Sequence, residues 1–227
     1  MRTLSIVMPA LNEETNIVPS VNNLLPDCRR ELDRFELILV NDGSTDRTGE
    51  VMEELARQHP EIVVIHHPQR CGVGVCYRDG IARASMDCVT LIPGDNICDP
   101  VTWKPMFQAI GTAEIVVGYR ANQRVSRPLY RVIISRIFSN TMCLIHGIKL
   151  RDFQGLVIYP TRMVRELGLQ STGFMYQMEL MVQLHRRGCR FVETPFYMFP
   201  EDMKSSHSLR LETIVDLVKT LWRLRKR

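Results

Sequence analysis

Acidic residues, asparagines and arginines stand where apolar runs of this chain stop, and those are the side chains that could do chemistry. Leu37–Val40 gives way to Asn41-Asp42-Gly43-Ser44-Thr45-Asp46, and Ser5–Pro9 to Leu11-Asn12-Glu13. Cys88–Ile92 ends in Pro93-Gly94-Asp95-Asn96, and Glu114–Gly118 in Tyr119-Arg120. A carboxylate at the tip of a buried parallel strand lies where an open α/β sheet keeps its ligand contacts. There Asp42 can accept the imide N–H of a uracil or guanine base, or a ribose hydroxyl; it can equally cap a helix, as Asp-Gly-Ser turns do. Asp95 can offer a hard oxygen ligand to Mg²⁺ or Mn²⁺. Asn96 can add a neutral oxygen or a hydrogen bond, or the stretch is a plain Gly-Asp-Asn turn. Glu13 falls on the same edge.

Cations supply the complementary chemistry. Arg120, Arg127 and Arg131, with Ser135, surround the start of a long helical segment. Arg131 and Ser135 are one helical turn apart and share a face. An arginine there can grip a phosphate through paired donors, or lie on a solvated helix face. Arg70-Cys71-Gly72-Val73-Gly74 precedes a helix, and its glycines could admit a phosphate or sugar to the backbone. Glu179, among methionines on a later helix, is either a surface carboxylate or a pocket base.

The elements that must position these residues alternate through the first half. Strands are expected near 4–8, 36–40, 62–66, 89–92 and 114–118, and helices near 16–25, 46–59, 73–85 and 100–110. Alternation implies parallel pairing with right-handed crossovers, so the strand C-termini share one edge. The second half breaks the rhythm with a long helix over 128–146, a strand over 155–159, a helix over 174–187 and a strand over 190–196. Pro195 marks that last strand as an edge or a strand end. The expected fold is α/β, a mostly parallel sheet with helices on both faces. It reads as one domain over 1–227, with a nucleotide-type half at 1–120, an acceptor-side half at 121–208, and a C-terminal helix over 209–227. That helix carries the stripe Leu211, Ile214, Val215, Val218, Leu221 and Trp222, and ends Arg223-Leu224-Arg225-Lys226-Arg227. It either packs on the sheet or docks on an anionic membrane surface.

The chain's 227 residues are 45% hydrophobic and 24% charged, enough for a sizeable core without staples. A net charge of +4 is too mild to indicate nucleic acid. Seven scattered cysteines without a Cys-x-x-Cys pair argue for reduced thiols in the cytoplasm, against a disulfide framework and against a zinc site. The N-terminus lacks signal-peptide character. No stretch approaches the roughly 20 apolar residues of a spanning helix, so any membrane contact is expected to be peripheral.

Met8-Pro9-Ala10-Leu11-Asn12-Glu13, Val40-Asn41-Asp42-Gly43-Ser44-Thr45-Asp46 and the segment from Arg70 through Asp99-Pro100 resemble the GT-A glycosyltransferases of family two. The nearest branch is that of dolichol-phosphate mannose synthase and related polyprenyl-phosphate sugar transferases. Gly118-Tyr119-Arg120, Asp152-Phe153-Gln154-Gly155 and Val192-Glu193-Thr194-Pro195 extend the likeness over most of the chain. The resemblance implies a GT-A fold, a nucleotide-diphosphate sugar donor, inverting transfer and a divalent metal. Carried over, Pro9, Leu11, Asn12, Glu13, Val40 and Asp42 would line the nucleoside site, with Gly94 and Asn96 beside it. Asp95 would be the second aspartate of the metal-binding Asp-x-Asp. Arg120 would reach a phosphate, assisted by Arg131 and Ser135. The chain departs from the pattern at Pro93, where the first aspartate should stand, and at Ile97, in place of a glutamine. Glu201 and His207 stand near the positions of two late-loop cations, with Lys204 close by. A polyprenyl or dolichyl phosphate acceptor would need no base. A hydroxyl acceptor would, and Glu179 is the candidate. A binding module without transferase activity is the alternative that Pro93 favours.

Overall fold

The computed structural model describes residues 1–123, 128–173, 175–200 and Thr220. Seven strands form one sheet: β1 (Thr3–Ala10), β2 (Arg34–Asn41), β3 (Ile62–His66), β4 (Cys88–Leu91), β5 (Ile115–Arg120), β6 (Val157–Pro160) and β7 (Phe191–Phe196). Their order is β3-β2-β1-β4-β6-β5-β7. β1 pairs in parallel with β2 and β4, β2 with β3, and β5 with β7. β6 alone runs antiparallel, between β4 and β5. β5 therefore points the same way as β4, and the C-terminal tips of β1, β2, β4 and β5 share one rim. Pro195 lies in β7, the edge strand, as its missing N–H requires.

Apolar strand residues alternate between two cores. Ile6, Met8, Leu37, Leu39 and Val116 face α1 (Ile17–Glu31), α2 (Thr48–Gln58) and α4 (Trp103–Gln108). Val7, Ile38, Val40, Ile115 and Val117 face α3 (Val73–Arg83), α6 (Thr161–Leu167) and α7 (Tyr176–Arg186), and Met142 of α5 (Leu129–His146) joins that core. Burial on both faces is why these strands read as continuous apolar runs.

Two boundaries differ in kind from expectation, several others by one or two residues, and α6 is an element the sequence reading did not contain. α1 continues through Pro26 to Glu31, because Leu24, Leu25 and Cys28 keep the apolar stripe on the core side. The 100–110 segment starts instead as a 3₁₀ turn at Pro100–Thr102, capped by the Asp99 carboxylate accepting from Val101 N–H at 3.0 Å. Arg127 and the stripe over 209–227 lie outside the described residues, Thr220 apart.

Gly155 lies where the β6 approach crosses β5, and a Cβ there would run into the carbonyl oxygen of Gly118. Because the obstacle is backbone, Gly155→Ala is expected to cost more than about 3 kcal/mol in a urea unfolding titration.

Candidate functional site at the strand tips

The rim is tied together by backbone. Asp42 N–H donates to Ala10 O at 2.9 Å, and Gly94 N–H to Pro9 O at 3.1 Å, so the β1, β2 and β4 tips meet. Ser44 Oγ accepts from Asn12 N–H at 3.0 Å, and Asn12 Oδ1 accepts from Thr45 N–H at 2.9 Å. Thr48 Oγ1 accepts from Glu13 N–H at 2.8 Å, while the Glu13 carboxylate takes the Asn16 side-chain amide at 2.7 Å. Gly94 is buried against Ala10 and Ile17. Asn96 Oδ1 accepts from Asn23 at 2.9 Å. Among the described residues, Asn12 and Asn96 are the non-glycine residues with positive φ, 57° and 55°. Asparagine tolerates that region, and such backbone collects at functional sites.

Asp42 is 5% exposed. Its carboxylate accepts from Cys71 N–H at 2.7 Å and Gly72 N–H at 3.0 Å, and His67 Nδ1 lies 3.2 Å away. His67 Nε2 meets Asp79 at 3.1 Å, so the ring bridges two carboxylates. Cys76 Sγ lies 3.9 Å from His67. Burial first, then the Asp42 carboxylate, pushes the Cys76 thiol far above its ordinary value. Asp42, His67 and Cys76 thus bring oxygen, nitrogen and sulfur donors together. Spacing along the chain concealed this cluster, and His67 was the residue that sequence reasoning missed. The amide donors already on Asp42 argue against an ion there.

Several expectations change. Val40 is fully buried in the core beneath the rim, so its side chain cannot line a surface site; strand alternation turns it inward. Gly72 and Gly74 admit backbone, not a ligand. Gly74 N–H donates to Thr172 O at 3.0 Å, and a Cβ on Gly72 would sit 2.7 Å from that oxygen. Glu179 is neither surface carboxylate nor open pocket base. It is 3% exposed, and its oxygens accept from Gln170 N–H at 3.3 Å, Ser171 N–H at 2.9 Å and Gln183 at 3.4 Å. It fixes the loop that covers Gly72 and Gly74.

Asp95 is exposed at the β4 tip, its Oδ1 accepting from Ile97 N–H at 3.3 Å. Beneath it Cys98 is buried, and burial raises its thiol; the Asp95 charge raises it further and the Arg120 charge opposes. Asp95 follows β4 and Arg120 ends β5, so both belong to the C-terminal rim of the sheet. Arg120 is largely sheathed: Nη2 donates to Gln154 O at 2.6 Å, and Nη1 lies 3.6 Å from the buried Asp152 carboxylate. This pair accounts for the Asp152-Phe153-Gln154 motif. Arg131 lies on α5 with Nε donating to the Tyr130 hydroxyl at 3.3 Å, and Ser135 is buried on the inner face of that helix. Pro9 and Leu11 are half-buried at the β1 tip. A hard divalent ion fits Asp95: one carboxylate completed by phosphate oxygens and water is a common Mg²⁺ arrangement, and Pro93 adds no donor.

Residues 5–167 match the glycosyl transferase family 2 model, and the chain belongs to that family. It is a glycosyltransferase with the GT-A fold. It is 27% identical over its whole length to an undecaprenyl-phosphate mannosyltransferase of Micrococcus luteus, 96% of which is covered. It is 27% identical, over 99% of this chain and 76% of the relative, to a dolichyl-phosphate beta-glucosyltransferase of Trichomonas vaginalis. Its fold matches that of Mycobacterium tuberculosis glucosyl-3-phosphoglycerate synthase, solved with Mn²⁺, UDP-glucose and phosphoglyceric acid. That match has a TM-score of 0.74 at 19% identity, over 98% of this chain and 80% of the other.

Removing the Glu179 charge separates a base from a brace. Glu179→Gln is expected to lower stability by about 1–3 kcal/mol in chemical denaturation, through the loop amides it leaves poorly matched. The turnover of protein that remains folded should be little changed, as a steady-state assay with saturating donor would read.

Proposed function

We propose that this glycosyltransferase moves a sugar from a nucleotide-diphosphate donor to a polyprenyl phosphate, with inversion at the anomeric carbon. An acceptor phosphate oxygen attacks that carbon, its bond to the diphosphate oxygen breaks, and the nucleoside diphosphate departs. The donor's nucleoside would rest on the Asn12–Glu13 and Asp42–Ser44 tips, and its diphosphate near Asp95. A divalent ion, Mg²⁺ or Mn²⁺, would be held by Asp95 and when bound would neutralise diphosphate charge. Arg120, anchored on Asp152 and Gln154, adds positive potential at the same rim.

One observation carries the choice of acceptor. Glu179, the base a hydroxyl acceptor would have called on, is buried and committed to loop amides. A phosphate monoester needs no such base, since its second pKa is about 6. The relatives agree in direction: the two named above differ in the sugar transferred yet share a polyisoprenoid phosphate in their names. They therefore give no choice of sugar or base.

Purified protein incubated with UDP- and GDP-sugars, Mg²⁺ or Mn²⁺ and a crude lipid extract should yield a sugar-phospho-polyprenol by mass spectrometry. A product on a free hydroxyl would reject the phosphate acceptor. Asp95→Ala should weaken metal-dependent donor binding in calorimetry by more than the roughly 10-fold that losing a supporting residue typically costs. Unchanged binding would remove Asp95 from the site.

A further inference from the structure

The turn that carries Asp95 is gripped by one face of α1. Ile17, Ser20 and Asn23 are spaced three apart, so they lie along the same side of that helix. Ser20 Oγ donates to Pro93 O at 3.4 Å, and Asn23 Nδ2 donates to Asn96 Oδ1 at 2.9 Å. Between those two points, a Cβ on Gly94 would lie 3.0 Å from both Ile17 Cδ1 and Ala10 Cβ. The turn is therefore seated directly on the helix and the β1 tip. α1 holds a residue on each side of Asp95, whose own side chain is exposed at the crest.

The Asn23 contact bears on the backbone at the point where Asp95 is aimed. Asn96, the next residue, has φ of 55°, a conformation that persists only where the surroundings hold it. If Asn96 relaxed to negative φ, the peptide that joins it to Asp95 would turn, and the carboxylate with it. Asp95 is also the one carboxylate in the 93–97 stretch, Pro-Gly-Asp-Asn-Ile. Several protein ligands can together draw a loose loop around an arriving cation. A single carboxylate cannot, so its loop must be shaped beforehand by neighbours that are themselves fixed. A helix packed into the core, with Ile17 fully buried, is such a neighbour.

We infer that Asn23 is a positioning residue for the donor's divalent ion: its amide holds Asn96 in the left-handed conformation that aims the Asp95 carboxylate. The inference rests on the reading of Asp95 given above. It adds a residue on another element, 73 positions from Asn96 in the chain, that touches neither donor nor ion.

The test is calorimetry of UDP and GDP binding to the full chain, with Mn²⁺ and again with EDTA. The readout, for whichever nucleotide binds, is the gain in affinity that Mn²⁺ brings. Asn23→Leu is expected to cut that gain by about 10-fold, the scale of a lost supporting contact. Affinity in EDTA and the melting temperature should stay as in wild type, since leucine suits a helix and removes only the donor. Asn22→Ala, exposed one residue earlier on α1, should change nothing. Asn96→Gly removes the acceptor at a φ that glycine adopts freely. In that background Asn23→Leu should cost nothing further, because the two side chains act as one contact. If Asn23→Leu keeps the full Mn²⁺ gain while Asp95→Ala loses it, the inference falls and Asp95 stays in the site. If Asp95→Ala keeps the gain, both readings fall. Equal losses in Mn²⁺ and EDTA overturn the inference, because they mark general support of the fold. So does an undiminished Asn23→Leu cost in the Asn96→Gly background, which would mean another route. Should Asn23→Leu fail to fold, Asn23→Ala is read by the same criteria.

Discussion

The carboxylate of Asp42 is the point on which the β1–β2 end of the rim depends. It is buried at the tip of β2, and it is the acceptor for two consecutive amides of the 71–72 backbone. Buried N–H groups left unmatched are costly, so this one side chain fixes how the chain leaves β3 and enters α3. Gly72 and Gly74 then let the backbone of Ser171 and Thr172 lie directly on that loop, and Glu179 pins the second loop from behind. Residues far apart in sequence are thereby locked in series, from β2 to α7. His67 stiffens the arrangement from the other side, through Asp42 and Asp79.

A second buried pair does the same at the β5 end of the rim. Arg120 and Asp152 join the tip of β5 to the segment that leads into β6. Truncating either member of such a pair leaves an uncompensated charge in the interior. The guanidinium therefore serves the architecture as much as any phosphate. It holds together the one place where an antiparallel strand is threaded into a parallel sheet.

Much of this was legible in the sequence. Apolar runs stopping at polar tips located β1, β2, β4 and β5 and their shared rim, since period and termination are local properties. Pro195 announced the edge strand for the same reason. The side-chain roles were less accessible. Whether a glycine pair approaches a phosphate or another stretch of backbone depends on what folds over it, and Thr172 is a hundred residues from Gly72. Glu179 reads in sequence as either a surface carboxylate or a pocket base, because a carboxylate among methionines is chemically conspicuous but its amide partners are marked by no pattern. His67 carried no signal at all, because Asp42 and Asp79 flank it only in three dimensions. Val40 misled through its neighbours: it belongs to a motif on the rim but alternates into the core.

Threading β6 between β4 and β5 also sets the order in which the nascent chain can close its sheet. The four strands from β3 to β4 can pair as soon as residue 91 has left the ribosome, but β4 then presents a bare edge. Its permanent neighbour arrives only with residues 157–160, and β5 must wait beside it for the same segment. Until then an apolar strand with open amides is available to any passing extended peptide. Synthesis thus includes an interval, some seventy residues long by subtraction of those positions, in which a chaperone has a defined strand to shield.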